Sequence, residues 1–146
     1  MQDVHKKIAL IAKRFELDII YVFGSLAEMV SDFVNGREGK LNGSALSDVD
    51  IGVKPGLGKH LSIKEKVQLS LALEDLFNIN RVDLVIMTEA DPFLTANIIR
   101  GERIFCNNEF EADEYDLYIL RRAGDLVPLE RERISLIMGA EINESE

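Results

Sequence analysis

Aspartates interrupt two apolar runs of this chain, and that interruption limits the folds that the chain can adopt. The first run, "SDVDIGV" at 47–53, contains Asp48 and Asp50, and the second, "RVDLVIM" at 81–87, contains Asp83. Short runs of Val, Ile and Leu predict buried β-strands. Core strands seldom carry acids, because an unpaired buried charge is costly. The pattern therefore predicts a sheet that carries an acidic site.

Strand geometry predicts where these acids point. Successive residues of a strand face opposite sides of a sheet, so Asp48 and Asp50 share one face. If the two runs form neighbouring strands, Asp83 joins them there. Carboxylates within about 5 Å raise one another's pKa values, and a divalent cation removes the conflict. Oxygen ligands of this kind suit Mg²⁺ or Mn²⁺. Exposed acids on an edge strand are the alternative interpretation.

A Gly-Ser pair follows an earlier apolar run, "DIIYVF". We expect Gly24 to end that strand and Ser25 to cap a helix over about 26–34. Backbone N–H groups and a hydroxyl at a helix N-terminus form a phosphate-binding geometry. For Gly-Ser alone, an ordinary strand-to-helix turn explains the pattern equally well. Together with the acids, the pair predicts a nucleoside triphosphate bound between the turn and a carboxylate-held metal.

The remaining segments predict helices and one further strand. Apolar spacing, the Ser62–Glu65 capping-box pattern and the Asp91-Pro92 start signal predict helices over 3–16, 62–77 and 92–100, and "ERIFC" predicts a short strand. The Gly- and Asn-rich stretch 35–47 predicts a mobile loop. We expect a single α/β (α+β) domain over 1–146 with a mixed sheet and flanking helices. Its C-terminal segment, 109–146, is expected to be helical, with interruptions near Gly124 and Pro128, and to end in an acidic tail.

Composition excludes several classes of partner. The chain has 146 residues, with 26 acids against 17 bases and a net charge of −9. A binder of the nucleic-acid backbone is normally basic, so we expect no direct nucleic-acid contact. No apolar run has the length of a membrane span, so we expect no membrane partner. The lone cysteine, Cys106, is typical of a cytoplasmic protein.

The combined motifs resemble the DNA polymerase β-type nucleotidyltransferase superfamily in its minimal form. The family pattern is Gly-Ser after the first strand, Ser-Asp-x-Asp with an apolar continuation, and a third acid on a later strand. Here these are Gly24-Ser25, the run at 47–53 and Asp83. The later "ANIIRGERIFCNN" resembles the segment that closes small members. The resemblance spans roughly residues 8–110 and implies a polymerase β-like fold.

The resemblance also implies an enzyme that transfers a nucleoside monophosphate, AMP from ATP, to a hydroxyl group. Asp83 would help to deprotonate that hydroxyl. The residues implied to be catalytic and to hold two Mg²⁺ ions, or Mn²⁺, are Asp48, Asp50 and Asp83. The residues implied to bind ATP or another nucleoside triphosphate are Gly24, Ser25 and Ser47.

The chain departs from the family pattern beside the Gly-Ser pair. Members commonly have basic residues there, whereas this chain has Leu26 and Glu28. The long loop offers Arg37 or Lys40 as substitutes for the missing cations.

From the length of 146 residues we expect no separate acceptor domain. Members of this size resemble MntA-type antitoxins, which pair with an all-helical HEPN-type ribonuclease toxin and transfer AMP to its tyrosine. The resemblance thus implies a HEPN-family protein partner. Two alternatives stay open: a catalytically degenerate module that inhibits its partner by binding alone, and a small-molecule adenylyltransferase that works as a homodimer.

The segment from Glu109 onward carries more apolar residues than one small domain needs. The surplus predicts either an exposed apolar interface or a further core helix.

Overall fold

The structure is a computed structural model that describes residues 3–37 and 48–145, except for the side chains at 130 and 139–145. Within these residues one sheet has the strand order β3-β2-β1-β4. Its strands are β1 (Leu17–Phe23), β2 (Val49–Pro55), β3 (Val82–Ile86) and β4 (Glu102–Cys106). Strand β1 is antiparallel to both β2 and β4, and β2 is parallel to β3. The predicted mixed sheet is confirmed.

Five α-helices accompany the sheet in the described ranges, and a 3₁₀ turn at Met87–Glu89 follows β3. The Ser62–Glu65 capping box predicted from the sequence is present, and the Asp91 side chain accepts hydrogen bonds from the first-turn N–H groups of Phe93 and Leu94. The helices are α1 (Val4–Arg14), α2 (Ala27–Val34), α3 (Ile63–Phe77), α4 (Pro92–Ile99) and α5 (Glu109–Ser145).

Helices cover both faces of the sheet. On one face α1, α2 and α3 pack over the apolar residues of β2, namely Val49, Ile51 and Val53. The opposite face carries Asp50, and there Ile98 of α4 packs with Tyr21 and Phe23 of β1. A Cβ at Gly52 would lie 2.6 Å from Ile98 Cγ2, so this glycine lets α4 approach β2 closely.

The predicted serine cap of α2 is wrong. Helix α2 begins at Ala27 after Leu26, and no side chain caps it. The Ala27 N–H donates to the Gly24 carbonyl at 3.2 Å, which closes a turn around Ser25 before the helix begins. Ser25 therefore lies inside that turn, too early in the chain to cap the helix.

The predicted interruptions of the C-terminal helix are also wrong. Helix α5 continues from Glu109 to Ser145 with Pro128 inside it, so it also extends into the stretch expected to be a frayed tail. A proline removes one backbone hydrogen bond and crowds the carbonyl four residues earlier. Here that residue is Gly124, and nothing lies within 4 Å of its Cβ position. In the described part of the chain, no helix is long and apolar enough to cross a membrane.

The first half of α5 belongs to the core. Ala112 packs beneath the sheet, and Ile119 and Ala123 pack with Ala96 of α4. A polar network adds to this contact: the buried Tyr21 hydroxyl donates to Asp116, and Arg103 donates to Asp116 at 2.8 Å. Helix α5 is thereby attached to β1 and β4 as well as to α4.

Candidate active site

The parallel pairing of β2 and β3 brings two of the predicted acids together. Asp50 lies directly opposite Asp83 in the register of the two strands. Partner residues in a parallel ladder point to the same face, and neighbouring strands are about 4.8 Å apart. The two carboxylates are therefore neighbours on the face that α4 partly covers.

Gly24 lies against this acidic pair. Its φ of +81° favours glycine, and a Cβ built there would lie 2.5 Å from Asp50 Oδ2. The reason for a glycine is thus twofold, since both the backbone conformation and the neighbouring carboxylate exclude a side chain. The end of β1 and the acid of β2 form one site, as the register pairing of Phe23 with Asp50 also requires.

The electrostatics of Asp50 differ from those of an ordinary surface aspartate. Burial raises the pKa of its carboxyl group, and the charges of Asp83 and then Asp48 raise it further. Among the described residues Asp50 has no hydrogen bond or ion pair, whereas Asp83 Oδ1 lies 3.1 Å from Nε of Arg81. A cation beside Asp50 would therefore relieve the repulsion of its carboxylate by those of Asp83 and Asp48.

The expected convergence of three carboxylates is only partly observed. Asp48 is exposed and precedes β2, whose register with β3 begins one residue later at Val49. Across the residues described, no group of three or more His, Cys, Asp or Glu side chains is positioned to hold a metal ion. Even so, the donor set fits a divalent cation, because it offers hard carboxylate oxygens and one of them, on Asp50, lacks a partner.

The candidate phosphate side of the site lies at Gly24 and Ser25. Both residues are exposed, and within the described chain the Ser25 hydroxyl has no hydrogen-bond partner. The first-turn N–H groups of α2 lack intrahelical acceptors, as in any helix. Of the departures from the family pattern, Leu26 packs against the core and Glu28 is exposed in the first turn. The remaining predicted nucleotide-binding residue, Ser47, lies outside the described residues.

The basic residues near the site differ from those expected. Arg37 pairs with Asp32 at 2.9 Å, and Lys40 lies outside the described residues, as does 38–47 of the predicted mobile loop. Sequence reasoning missed Arg100, which is exposed and makes no ion pair with another described residue. The following residue, Gly101, is pressed against the backbone of Val22 and Phe23, so Arg100 lies beside the end of β1. The sequence signal that could have identified Arg100 is the segment "IIRG" immediately before a strand.

A groove of about 730 Å³ extends from Asp83 along the outer edge of β3. Arg81 and Asp83 lie in its lining, and α3 contributes apolar Val67 and Leu71. Glu74 of α3 accepts a hydrogen bond from the Val82 N–H at 2.9 Å, which satisfies one donor of this edge strand. The groove gives a second molecule access to Asp83 from the side of β3.

A family model described as "Polymerase beta, Nucleotidyltransferase" matches residues 6–110. This range contains the whole sheet, Gly24 and the three candidate acids. No curated protein matches the chain.

Several solved structures share the fold. A toxin-antitoxin complex with AMP-PNP aligns with a TM-score of 0.66 and 18% identity, over 92% of this chain and 98% of that chain. The MntA-HepT toxin-antitoxin aligns with a TM-score of 0.64 and 18% identity, over 94% and 99%. A third contains a tri-AMPylated HEPN toxin of Shewanella oneidensis with its MNT antitoxin, with a TM-score of 0.64 and 17% identity over 92% and 96%. At these identities the likeness shows a common fold.

Proposed function

The chain belongs to the polymerase β nucleotidyltransferase family, and from that premise we propose that it transfers AMP from ATP to a hydroxyl group of a protein acceptor. The observation that carries the proposal is the pair Asp50 and Asp83, in register on β2 and β3 with Gly24 against it. Acids on two neighbouring strands beside a phosphate-binding turn suit the transfer of a phosphate-linked group, because that reaction needs charge neutralisation and positioning more than it needs a nucleophile from the protein.

On the nucleotide side, Gly24 and Ser25 bind the β- and γ-phosphates through backbone N–H groups and the serine hydroxyl, and Ser47 contributes from the start of the acidic motif. Arg100 supplies positive charge from beside the end of β1. This cation matters because Glu28, in the first turn of α2, opposes the binding of a triphosphate.

On the acidic side, Asp48, Asp50 and Asp83 are the residues that would hold two Mg²⁺ ions, with Mn²⁺ as the alternative. Such ions, when bound, neutralise the phosphates and stabilise both the attacking and the leaving oxygen. Asp50 has no partner among the described residues and its pKa is raised, which supports a role as a cation ligand.

Asp83 has a second role in the transfer. The acceptor oxygen forms a bond to the α-phosphorus of ATP, and the bond from that phosphorus to the bridging oxygen breaks, so that pyrophosphate leaves. The acceptor proton passes to the carboxylate of Asp83, of which only Oδ1 is paired with Arg81. The groove along β3 lets the acceptor approach that carboxylate.

We further propose that the acceptor is a tyrosine of a HEPN-type toxin and that the chain acts as its antitoxin in the cytoplasm. The support is that structures with this fold include an AMPylated HEPN toxin in complex with its MNT antitoxin and a toxin-antitoxin complex with AMP-PNP. The groove beside Asp83 suits a protein side chain as acceptor better than a buried pocket would, because it is open to solvent.

The test is transfer of label from α-labelled ATP to a purified HEPN-type partner. We expect transfer with Mg²⁺, none with a chelator, and none for Asp83→Asn. Asp75→Asn is the matched control, because Asp75 is an exposed acid on α3 outside the site. If the partner is bound and inhibited without any label transfer, the chain is a non-catalytic inhibitor. If label goes only to small molecules, the proposed protein acceptor is wrong.

A further inference from the structure

The second half of α5 presents an unpartnered apolar surface. We call residues 126–138 the distal segment. No side chain after Ala123 belongs to the apolar clusters of the described residues. In the distal segment Leu129 is 62% exposed and Leu136 is 70% exposed, and Ile134, Ile137 and Met138 are each about half exposed. Apolar surface of this extent on one helix indicates an interface.

The sequence of the distal segment is nearly symmetric about its midpoint. From 126 to 137 it is LVPLER followed by ERISLI, so the midpoint lies between Arg131 and Glu132. In five of the six symmetric pairs an apolar residue matches an apolar residue or an acid matches a base, and the exception is Pro128 with Ser135. The matching positions are 126 with 137, 127 with 136, 129 with 134, 130 with 133, and 131 with 132.

From this symmetry we propose that the partner of the distal segment is the distal segment of a second copy, packed antiparallel about a two-fold axis at the midpoint. A two-fold interface is self-complementary, since residue i meets residue j while j meets i. In antiparallel helices, positions equally distant from the axis lie at the same level. The symmetric sequence of the segment places compatible residues at each of these levels. A binding site for an unrelated protein would not need such symmetry.

Helical periodicity says which positions face the second copy. Positions 126, 130, 133 and 137 follow 4-3-4 spacing, so they form one stripe. Toward the N-terminus of α5 the same stripe includes Ile119 and Ala123, which pack against α4. Across the two-fold axis Leu126 lies level with Ile137, and the glutamate at 130 in the sequence lies level with Arg133. On the flanks, Val127 lies next to Ile134, and Leu129 next to Leu136.

The size of the surface sets the expected affinity. The matched positions span 12 residues, about 17 Å of helix, so the contact is smaller than the roughly 1,600 Å² of a standard stable interface. We therefore expect a dimer that forms and dissociates with protein concentration rather than an obligate one.

Sedimentation of the full chain over a concentration series tests the proposal. We expect a monomer–dimer equilibrium, with dimerisation weakened at least tenfold by Leu136→Glu. The matched control is Leu10→Glu, because Leu10 on α1 is 65% exposed but lies off this surface. A monomer at every concentration overturns the proposal, and so does an equal effect of the two variants. Binding of the distal segment only to a different protein likewise overturns it.

A charge exchange tests the antiparallel register. Glu130→Arg places two bases at each level of the stripe, and Arg133→Glu places two acids there, so each variant alone should lose self-association. A one-to-one mixture of the two variants should restore it, since every base then meets an acid across the axis. A change that only weakened the helix would not be rescued by mixing. Failure of the mixture to associate, or undiminished association of either variant alone, contradicts the register.

Discussion

At the scale of single residues, the site is defined by how differently its acids are compensated. Asp83 has Arg81 at 3.1 Å, whereas Asp50, on the adjacent strand, has no partner among the described residues and is partly withdrawn from water. Of these two acids, one is neutralised and one is not. Two substitutions separate the contributions of these residues.

Replacing Asp50 by asparagine should abolish transfer without harming the fold. Because burial and two like charges raise the pKa of Asp50, its ionisation destabilises the folded state as pH rises through that pKa. Without metal at pH 7, Asp50→Asn should have a melting temperature equal to or above that of the unmodified chain. The difference should shrink as pH falls through the raised pKa of the native carboxyl, and it should vanish below the ordinary aspartate value of about 3.9.

Melting temperatures between pH 4 and pH 8 in the presence of a chelator check this expectation, with Asp75→Asn as the exposed control. A variant at position 50 that is less stable than the unmodified chain at pH 7 would contradict the interpretation of Asp50 as an uncompensated acid.

Replacing Arg81 by glutamine should lower the Mg²⁺ concentration at which transfer is half-maximal. The guanidinium group competes with a cation for Asp83, so its removal frees a ligand. The ion pair is exposed, with side chains 68% and 40% accessible, so the stability change should stay below about 1 kcal/mol. Titration of activity with Mg²⁺ measures the effect.

The control for this titration is Lys59→Gln, which breaks an ion pair with Glu65 outside the site. An unchanged or increased Mg²⁺ requirement in Arg81→Gln would show that Arg81 does not compete for Asp83.

At the scale of elements, the turn after β1 contributes to the candidate active site through its backbone conformation as well as through its side chains. Gly24 combines a positive φ with a close approach to Asp50, while Ser25 stays exposed because α2 begins two residues later. The turn therefore exposes a hydroxyl and backbone N–H groups beside a carboxylate. A cap at Ser25, as the sequence predicted, would instead have used that hydroxyl within the helix.

Replacing Gly24 by alanine should cost stability and activity together. The positive φ costs an alanine about 1–2 kcal/mol, and its Cβ would displace the Asp50 carboxylate. Gly58→Ala is the matched control, since Gly58 has a φ of +78° with nothing within 4 Å of its Cβ position. Urea unfolding should show similar losses in both variants, whereas the transfer assay should show a loss only at position 24. Full activity of Gly24→Ala would disprove the contact between the turn and the acid.

At the scale of the whole molecule, the charge of −9 and the position of α5 determine what the fold can bind. The acidic balance disfavours binding of a nucleic-acid backbone, so we expect cations to accompany a triphosphate into the site. The sheet and α1 to α4 form one layered body, to which α5 adds its first half. Its distal segment lies beyond the apolar clusters of that body, which permits a direct test of where the folded unit ends.

Deleting residues 125–146 should leave a folded, cooperatively melting protein. The last side chain in the described apolar clusters is Ala123, so the deletion removes mainly exposed surface, and the melting temperature should change by only a few degrees. Self-association should be lost. Deletion after Cys106 is the contrasting variant, because it also removes Ala112, Asp116 and Ile119 and should prevent folding. Unfolding of the shorter deletion would show that the single domain predicted over 1–146 needs the distal segment.

Local patterns in the sequence were sufficient to predict most of the elements and the identity of the acidic motifs. Short apolar runs predicted the strands, and the capping residues Ser62 and Asp91 predicted helix starts correctly, because both signals act within a few residues. The juxtaposition of Asp50 with Asp83 could be predicted only on the condition that β2 and β3 were neighbours. Their functional roles stay predictions.

Two features depended on contacts between segments distant in sequence, and only the tertiary structure decided them. Asp50 lies beside Asp83 because β2 pairs with β3, and Gly101 brings Arg100 to the end of β1 because β4 pairs with β1 across the chain. The ion pair of Arg81 with Asp83, in contrast, joins residues two apart and is local. The sequence determined which residues favour strands, turns and charge clusters, since those preferences are local. Which acids lie together, and which apolar faces stay exposed, depended on packing between elements that no local pattern encodes.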